Sequence, residues 1–223
     1  MFEKLIVNTE DKDNYERNLF VKGEYLIKQI YDVLLDANNS EKVNWEEVLA
    51  VLKYDKSLRD EVYIFLASFE EYLKAELFRK YDVASKEIIY RKNNLQKLCE
   101  NIYKKQDDLN SNLYYCFELE LGSIIELVKA KAIYEIGYIE KLDIVRQLRN
   151  HVMHHNILLL GKATNYSQAQ KEMKELKKQL EALYDVLPNS GYKQAFQRAL
   201  NEQIGRKYVD KLSLGEMKNG IYD

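Results

Sequence analysis

A single proline, Pro188, and eight glycines punctuate 223 residues. These are the residues that most readily interrupt helices, so long unbroken helices are open to this chain. Leu, Lys, Glu, Ala and Gln are plentiful and all suit helix interiors. No apolar–polar alternation lasts long enough to predict a substantial strand. The pattern predicts an all-α protein, read as one helical domain over residues 1–223. Residues 1–12 and 213–223 are expected to be irregular or frayed.

The apolar spacing places the helices. A first helix is predicted over Tyr15–Leu35, with Leu19, Leu26, Ile30, Val33 and Leu34 on one side. Asn38-Asn39-Ser40 reads as a break, and Trp45, Val48, Leu49 and Leu52 mark a short amphipathic helix. Ser57 suits the N-cap of a separate long helix carrying Leu58, Val62, Phe65, Leu66, Phe69, Leu73 and Leu77. Ser85 suits the cap of another, with Ile88, Ile89, Leu95, Leu98 and Ile102. Residues 107–112 read as a loop. Helix resumes over Leu113–Ile136, where Gly122 and Gly137 mark breaks, and again from Ile139. The charged run Ser167–Val186 predicts a surface helix held by i,i+4 pairs and ending before Pro188. The last helix is expected over Lys193–Tyr208.

Hydrophobic residues make up 46% of the chain, enough for a core. The net charge of −2 and pI near 6.0 argue against a protein that coats nucleic acid by bulk charge, but not against a local basic site. Cys99 and Cys116 lack metal-ligand spacing and fit reduced thiols. The segment Met1-Phe2-Glu3-Lys4 lacks a signal-peptide pattern. The most apolar stretch, Leu119–Ile139, is broken by Glu120, Glu126, Lys129, Lys131 and Glu135. These features lead us to expect a soluble, cytoplasmic protein without a membrane partner.

All three histidines fall within five residues, in Arg149-Asn150-His151-Val152-Met153-His154-His155-Asn156. Histidine is the side chain that most readily exchanges a proton near neutral pH. Arginine's planar fork matches two phosphate oxygens. Together they suit a phosphodiester. On a helix, Leu142, Val145, Leu148 and Val152 form a core-facing stripe. Asn150, His154 and Arg146 fall on the polar side. His155 lies closer to the stripe, where packing is its simpler role, and Arg149 lies on the stripe's edge. Arg149 and His154 are separated by roughly 140° on an ideal helix.

The run Leu148-Arg149-Asn150…His154-His155-Asn156 resembles the Arg-x-x-x-x-His motif of HEPN (higher eukaryotes and prokaryotes nucleotide-binding) domains. It is most similar to the HEPN proteins of bacterial abortive-infection systems. Those often carry an Arg and a Trp after the histidines, whereas Ile157-Leu158-Leu159-Leu160 follows here. The resemblance implies a helical bundle that dimerises, with two motifs meeting in a shared cleft. It implies a metal-independent, cofactor-free endoribonuclease acting as a toxin or anti-phage effector, restrained by an inhibitory antitoxin of protein or RNA. In that reading His154 is the general acid or base, Arg149 holds the phosphate, and Asn150 orients them. The RNA 2′-hydroxyl is the nucleophile, leaving a 2′,3′-cyclic phosphate and a 5′-hydroxyl. Arg146, His151 and His155 are the candidate additional RNA contacts.

Other readings of these residues stay open. The motif could hold RNA without cutting it. His151 and His155, spaced i,i+4, could chelate zinc, although a site needs further ligands. Arg146 could be a solvated charge. The run Lys86, Arg91, Lys92, Lys97, Lys104 and Lys105, interleaved with Tyr90 and Tyr103, could bind single-stranded nucleic acid or form the wet face of a helix. Glu70 and Glu71 read as solvent-facing.

Overall fold

The computed structural model describes residues 2–39, 42–80, 120–131, 134–154, 157–202, 209 and 211–222. The described residues are mostly helical. The helices are α1 (Lys12–Lys22), α2 (Glu24–Ala37), α3 (Trp45–Lys80), α4 (Leu121–Lys131), α5 (Ile136–Met153), α6 (Tyr166–Val186) and α7 (Ser190–Asn201). This is the all-α architecture that the scarcity of breakers predicts.

Two boundaries differ from those read in the sequence. The expected helix over Tyr15–Leu35 is two helices, because Gly23 adopts φ +82°, ψ 148° and donates its N–H to the Leu19 carbonyl. Only glycine occupies that region freely. Conversely, the expected short helix at Trp45 and the one capped at Ser57 are a single 36-residue helix, α3. Nothing between Leu52 and Ser57 interrupts helical backbone, so the same apolar face runs on through Val48, Val51, Tyr54, Leu58, Val62, Phe65, Phe69 and Leu73. At the helical rise α3 spans roughly 54 Å.

Helix α3 packs against α2, α5 and α7, and the most extensive helix pairing among the described residues is α5 against α6. Gly122 and Gly137 are not breaks. Each sits in the first turn of a helix, α4 and α5 respectively, and the chain turns between them at Tyr134–Glu135. The charged helix α6 is more than a surface helix: it buries Ala169, Met173, Leu176, Leu180, Leu183 and Val186. Asn165 caps it by accepting the Gln168 N–H, and it ends at Leu187, extended before Pro188. The predicted helix and loop at residues 85–112, the basic run there and both cysteines lie outside the described residues.

The terminal segments, expected to be irregular or frayed over 1–12 and 213–223, are largely turn and coil but carry short paired elements. Leu5–Ile6 (β1) pairs in parallel with Val43–Asn44 (β2). Met217–Lys218 (β3) pairs antiparallel with Ile221–Tyr222 (β4). The second pair is a two-residue hairpin in which Asn219 and Gly220 take φ +51° and +85°. Asn-Gly favours this turn because both central residues need positive φ. Leu212, Leu214 and Met217 are buried. Two tyrosine hydroxyls tie these ends to the core: Tyr31 accepts the Lys4 N–H at 3.2 Å, and Tyr54 the Leu214 N–H at 3.3 Å. No helix among the described residues is long and apolar enough to cross a membrane.

Candidate functional site

Helix α5 carries the motif, and its packing follows the predicted stripe. Leu142, Val145, Leu148 and Val152 are its buried residues. Asn150 and His154 are exposed on the other side, and Arg149 is partly buried at the margin. The helix stops at Met153. His154 is its C-cap, with its N–H donated to the Asn150 carbonyl at 3.1 Å. A protonated imidazole at this end would complement the exposed carbonyls of the last turn.

The segment after the histidines explains why Ile157–Leu160 are apolar. All four are buried, the last two completely. Three polar side chains pin this turn. The Asp55 carboxylate of α3, 2% exposed, accepts the Leu159 N–H at 2.9 Å. Arg59 donates to the same carboxylate at 2.7 Å. Gln29 of α2 donates its amide to the carbonyls of Gly161 and Ala163 at 3.0 and 2.9 Å. Burial pushes the Asp55 carboxyl up, opposed by the Leu159 N–H and the Arg59 charge. The end of α5 is therefore followed by an anchored turn.

Two cavities flank this helix end. One, of about 220 Å³, lies between α5 and α3 and is lined by Arg149, Met153, Tyr63, Glu70, Glu71 and Lys74. Glu70 is paired with Lys74 at 2.8 Å. Glu70 and Glu71, read from the sequence as solvent-facing, thus border the arginine. The other cavity, of about 680 Å³, lies on the opposite flank between α2, α6 and the 157–162 turn. His151 lines it together with Gln29, Lys162, Glu172 and Gln179. Viewed down an ideal helix, Asn150 and His154 fall between Arg149 and His151 around the exposed face.

The structure therefore brings Asn150, His151 and His154 to one exposed helix end but does not put Arg149 and His154 in one cavity. Arg149, His151 and His154 have no hydrogen-bond or ion-pair partner among the described residues. Arg146 is engaged: it lies 3.5 Å from both Glu126 and Asp143, and Lys129 holds Asp143 at 2.6 Å. His155 and Asn156 lie outside the described residues.

Sequence reading missed Asp55, Gln29 and Gln179. One signal marks all three: each is a polar residue on an apolar helical stripe. Asp55 lies between Val51 and Leu58, Gln29 between Leu26 and Val33, and Gln179 between Leu176 and Leu183. A polar side chain at such a position must find a partner or border a cavity.

The chain matches no protein-family model, and no curated protein and no solved structure matches it.

Proposed function

We propose that this chain is a HEPN-type, metal-independent endoribonuclease that works as a homodimer, as a toxin or abortive-infection effector under the control of an inhibitory partner. The observation that carries this reading is a contrast in pairing. On and beside α5 the cations Arg59, Lys74, Lys129, Lys141 and Arg146 are engaged by carboxylates. Arg149, His151 and His154, within about a turn and a half of helix, have no partner among the described residues. Unpaired cation and exposed imidazole are what a phosphodiester requires: one to hold its oxygens, one to move protons.

Because Arg149 and His154 point around different sides of α5, we place the reacting linkage between two copies of the motif. His154 of one copy would take the proton from the 2′-hydroxyl or supply it to the leaving 5′-oxygen. An Arg149 would hold the phosphate as charge grows on it. Tyr63 and Met153, 49% and 40% exposed, line the Arg149 cavity, and Ile64, next to Tyr63 on α3, is 55% exposed; this apolar surface suits a second copy.

The test is RNA cleavage by purified protein in EDTA. We expect 2′,3′-cyclic phosphate ends from the wild type. Arg149→Ala and His154→Ala should each lower the rate by about 10²-fold or more, with the helical circular dichroism and the dimer unchanged. If both variants lose RNA affinity and no cleavage is ever seen, the motif is an RNA-holding module. If the wild type neither binds nor cuts RNA, the proposal fails.

A further inference from the structure

The larger cavity is a built site that the cleavage chemistry does not use. Its volume, about 680 Å³, is in the range of ligand pockets. Leu26 of α2, Ile157 and Leu158 of the turn and Leu176 of α6 give it an apolar wall. Gln179 also lines it and is only 2% exposed. Its carboxamide has no hydrogen-bond partner among the described residues. That amide is not sealed off: Arg59 Nε is the one fully buried, unpartnered side-chain N or O among the described residues, so the Gln179 carboxamide opens to the cavity and is free to bond what enters it. Gln29, the other buried amide here, spends its N–H groups on the Gly161 and Ala163 carbonyls.

The rest of the lining is arranged around that amide. Glu172 reaches in over Gly161, and a methyl group on Gly161 would lie 2.6 Å from its Oε2. Glu175 follows one turn along and is held by Lys178 at 3.4 Å, an exposed pair of little strength. Exposed Lys162, His151 and Tyr25 border the cavity. The set comprises an apolar slot, a free donor–acceptor pair deep inside, and a cation, an imidazole and an aromatic ring with access to solvent.

We infer that this cavity receives an unpaired adenine of the RNA, next to the linkage at the end of α5, and that Gln179 is the specificity-determining residue that reads its edge. This rests on the nuclease reading for the identity of the ligand as RNA. A carboxamide meets adenine with two hydrogen bonds, donating to a ring nitrogen and accepting from the exocyclic N6–H. The leucine and isoleucine side chains cover the base faces, and the second N6–H is within the chemistry of the Glu172 carboxylate. Tyr25 offers a stacking face, and Lys162 a phosphate contact, for the flanking nucleotide. The recognised base and the cleaved linkage are neighbours because His151 belongs to the cavity while His154 caps the same helix.

The experiment is titration of the full chain with adenosine, guanosine, cytidine and uridine by calorimetry, beside mapping of RNA cleavage ends. We expect saturable adenosine binding, favoured about tenfold or more over the other three. Cleavage should cluster beside adenines, and both preferences should be lost in Gln179→Leu. Should that variant fail to fold, the wild type alone decides. Adenosine should shift the NMR signal of the Gln179 side-chain NH₂, and guanosine should not. Binding without preference, a preference for another base, no binding, or an unmoved Gln179 signal overturns the inference. RNA cleavage with no adenosine binding sinks the pocket and leaves the nuclease reading standing. Adenosine binding through Gln179 with no RNA cleavage sinks the nuclease reading and keeps the base pocket.

Discussion

The Asp55 carboxylate on α3 accepts the backbone N–H of Leu159 at 2.9 Å, joining residues 104 apart in the chain. Through this bond the longest helix holds the turn that follows the histidines. Arg59 completes the arrangement from one helical turn away, with its Nε buried and unsatisfied.

Removing this anchor has a large expected effect. Asp55→Ala leaves the buried Leu159 N–H and the mostly buried Arg59 guanidinium without their acceptor. Breaking such a pair costs about 3–5 kcal/mol. Urea unfolding should show that loss, and Asp55→Asn, which keeps a carbonyl acceptor, should lose less. Equal stability of wild type and Asp55→Ala would remove the anchor from the account.

Two glycine substitutions should act in opposite directions. Gly220 holds φ +85°, and an added methyl would lie 2.4 Å from Tyr184 Cε1. Gly220→Ala should therefore destabilise by about 1–3 kcal/mol. Gly137 has no atom within 4 Å of an added methyl and sits in α5. Gly137→Ala should stabilise by about 0.4–1 kcal/mol. Thermal unfolding of both variants checks the pair.

A tyrosine cluster sets an alkaline limit. Burial, and then the bond from its hydroxyl to Glu76 at 2.5 Å, push the Tyr134 phenol up. Burial and the nearby Glu76 push Tyr138 up as well. A folded value above the unfolded one, near 10, means the folded state keeps the proton longer. That stability is complete below about pH 10 and is lost as pH climbs through the folded values. The margin of wild type over Tyr134→Phe/Tyr138→Phe in urea should therefore be smaller at pH 10.5 than at pH 8. A margin that grows with pH would contradict the sign.

The apolar surface beside Arg149 bears on assembly. Ile64 is 55% exposed on α3. Ile64→Glu should leave the fold intact by circular dichroism, halve the mass in sedimentation, and cut RNA cleavage by about tenfold or more, as loss of a composite site requires. A monomeric variant that cuts at the wild-type rate would show that one copy suffices.

Much of α5 was legible in the sequence. The stripe Leu142, Val145, Leu148 and Val152 is buried as its spacing predicts, and Asn150 and His154 are exposed. Helical periodicity is a local property, so it reads directly from residue order. The Asn219-Gly220 hairpin is equally marked by its two turn residues, although no long strand flanks it.

What tertiary structure alone decided is which distant groups meet. Residue order marks Asp55, Gln29 and Gln179 as polar intruders on apolar stripes, but says nothing of what each faces. Packing of α2 against α3 and α6, and of α3 and α6 against α5, gave two of them the turn at 157–163 to hold and left the third facing a cavity. Helix formation depends on neighbours a few residues away, whereas burial of a polar group depends on whichever surface the whole chain brings against it.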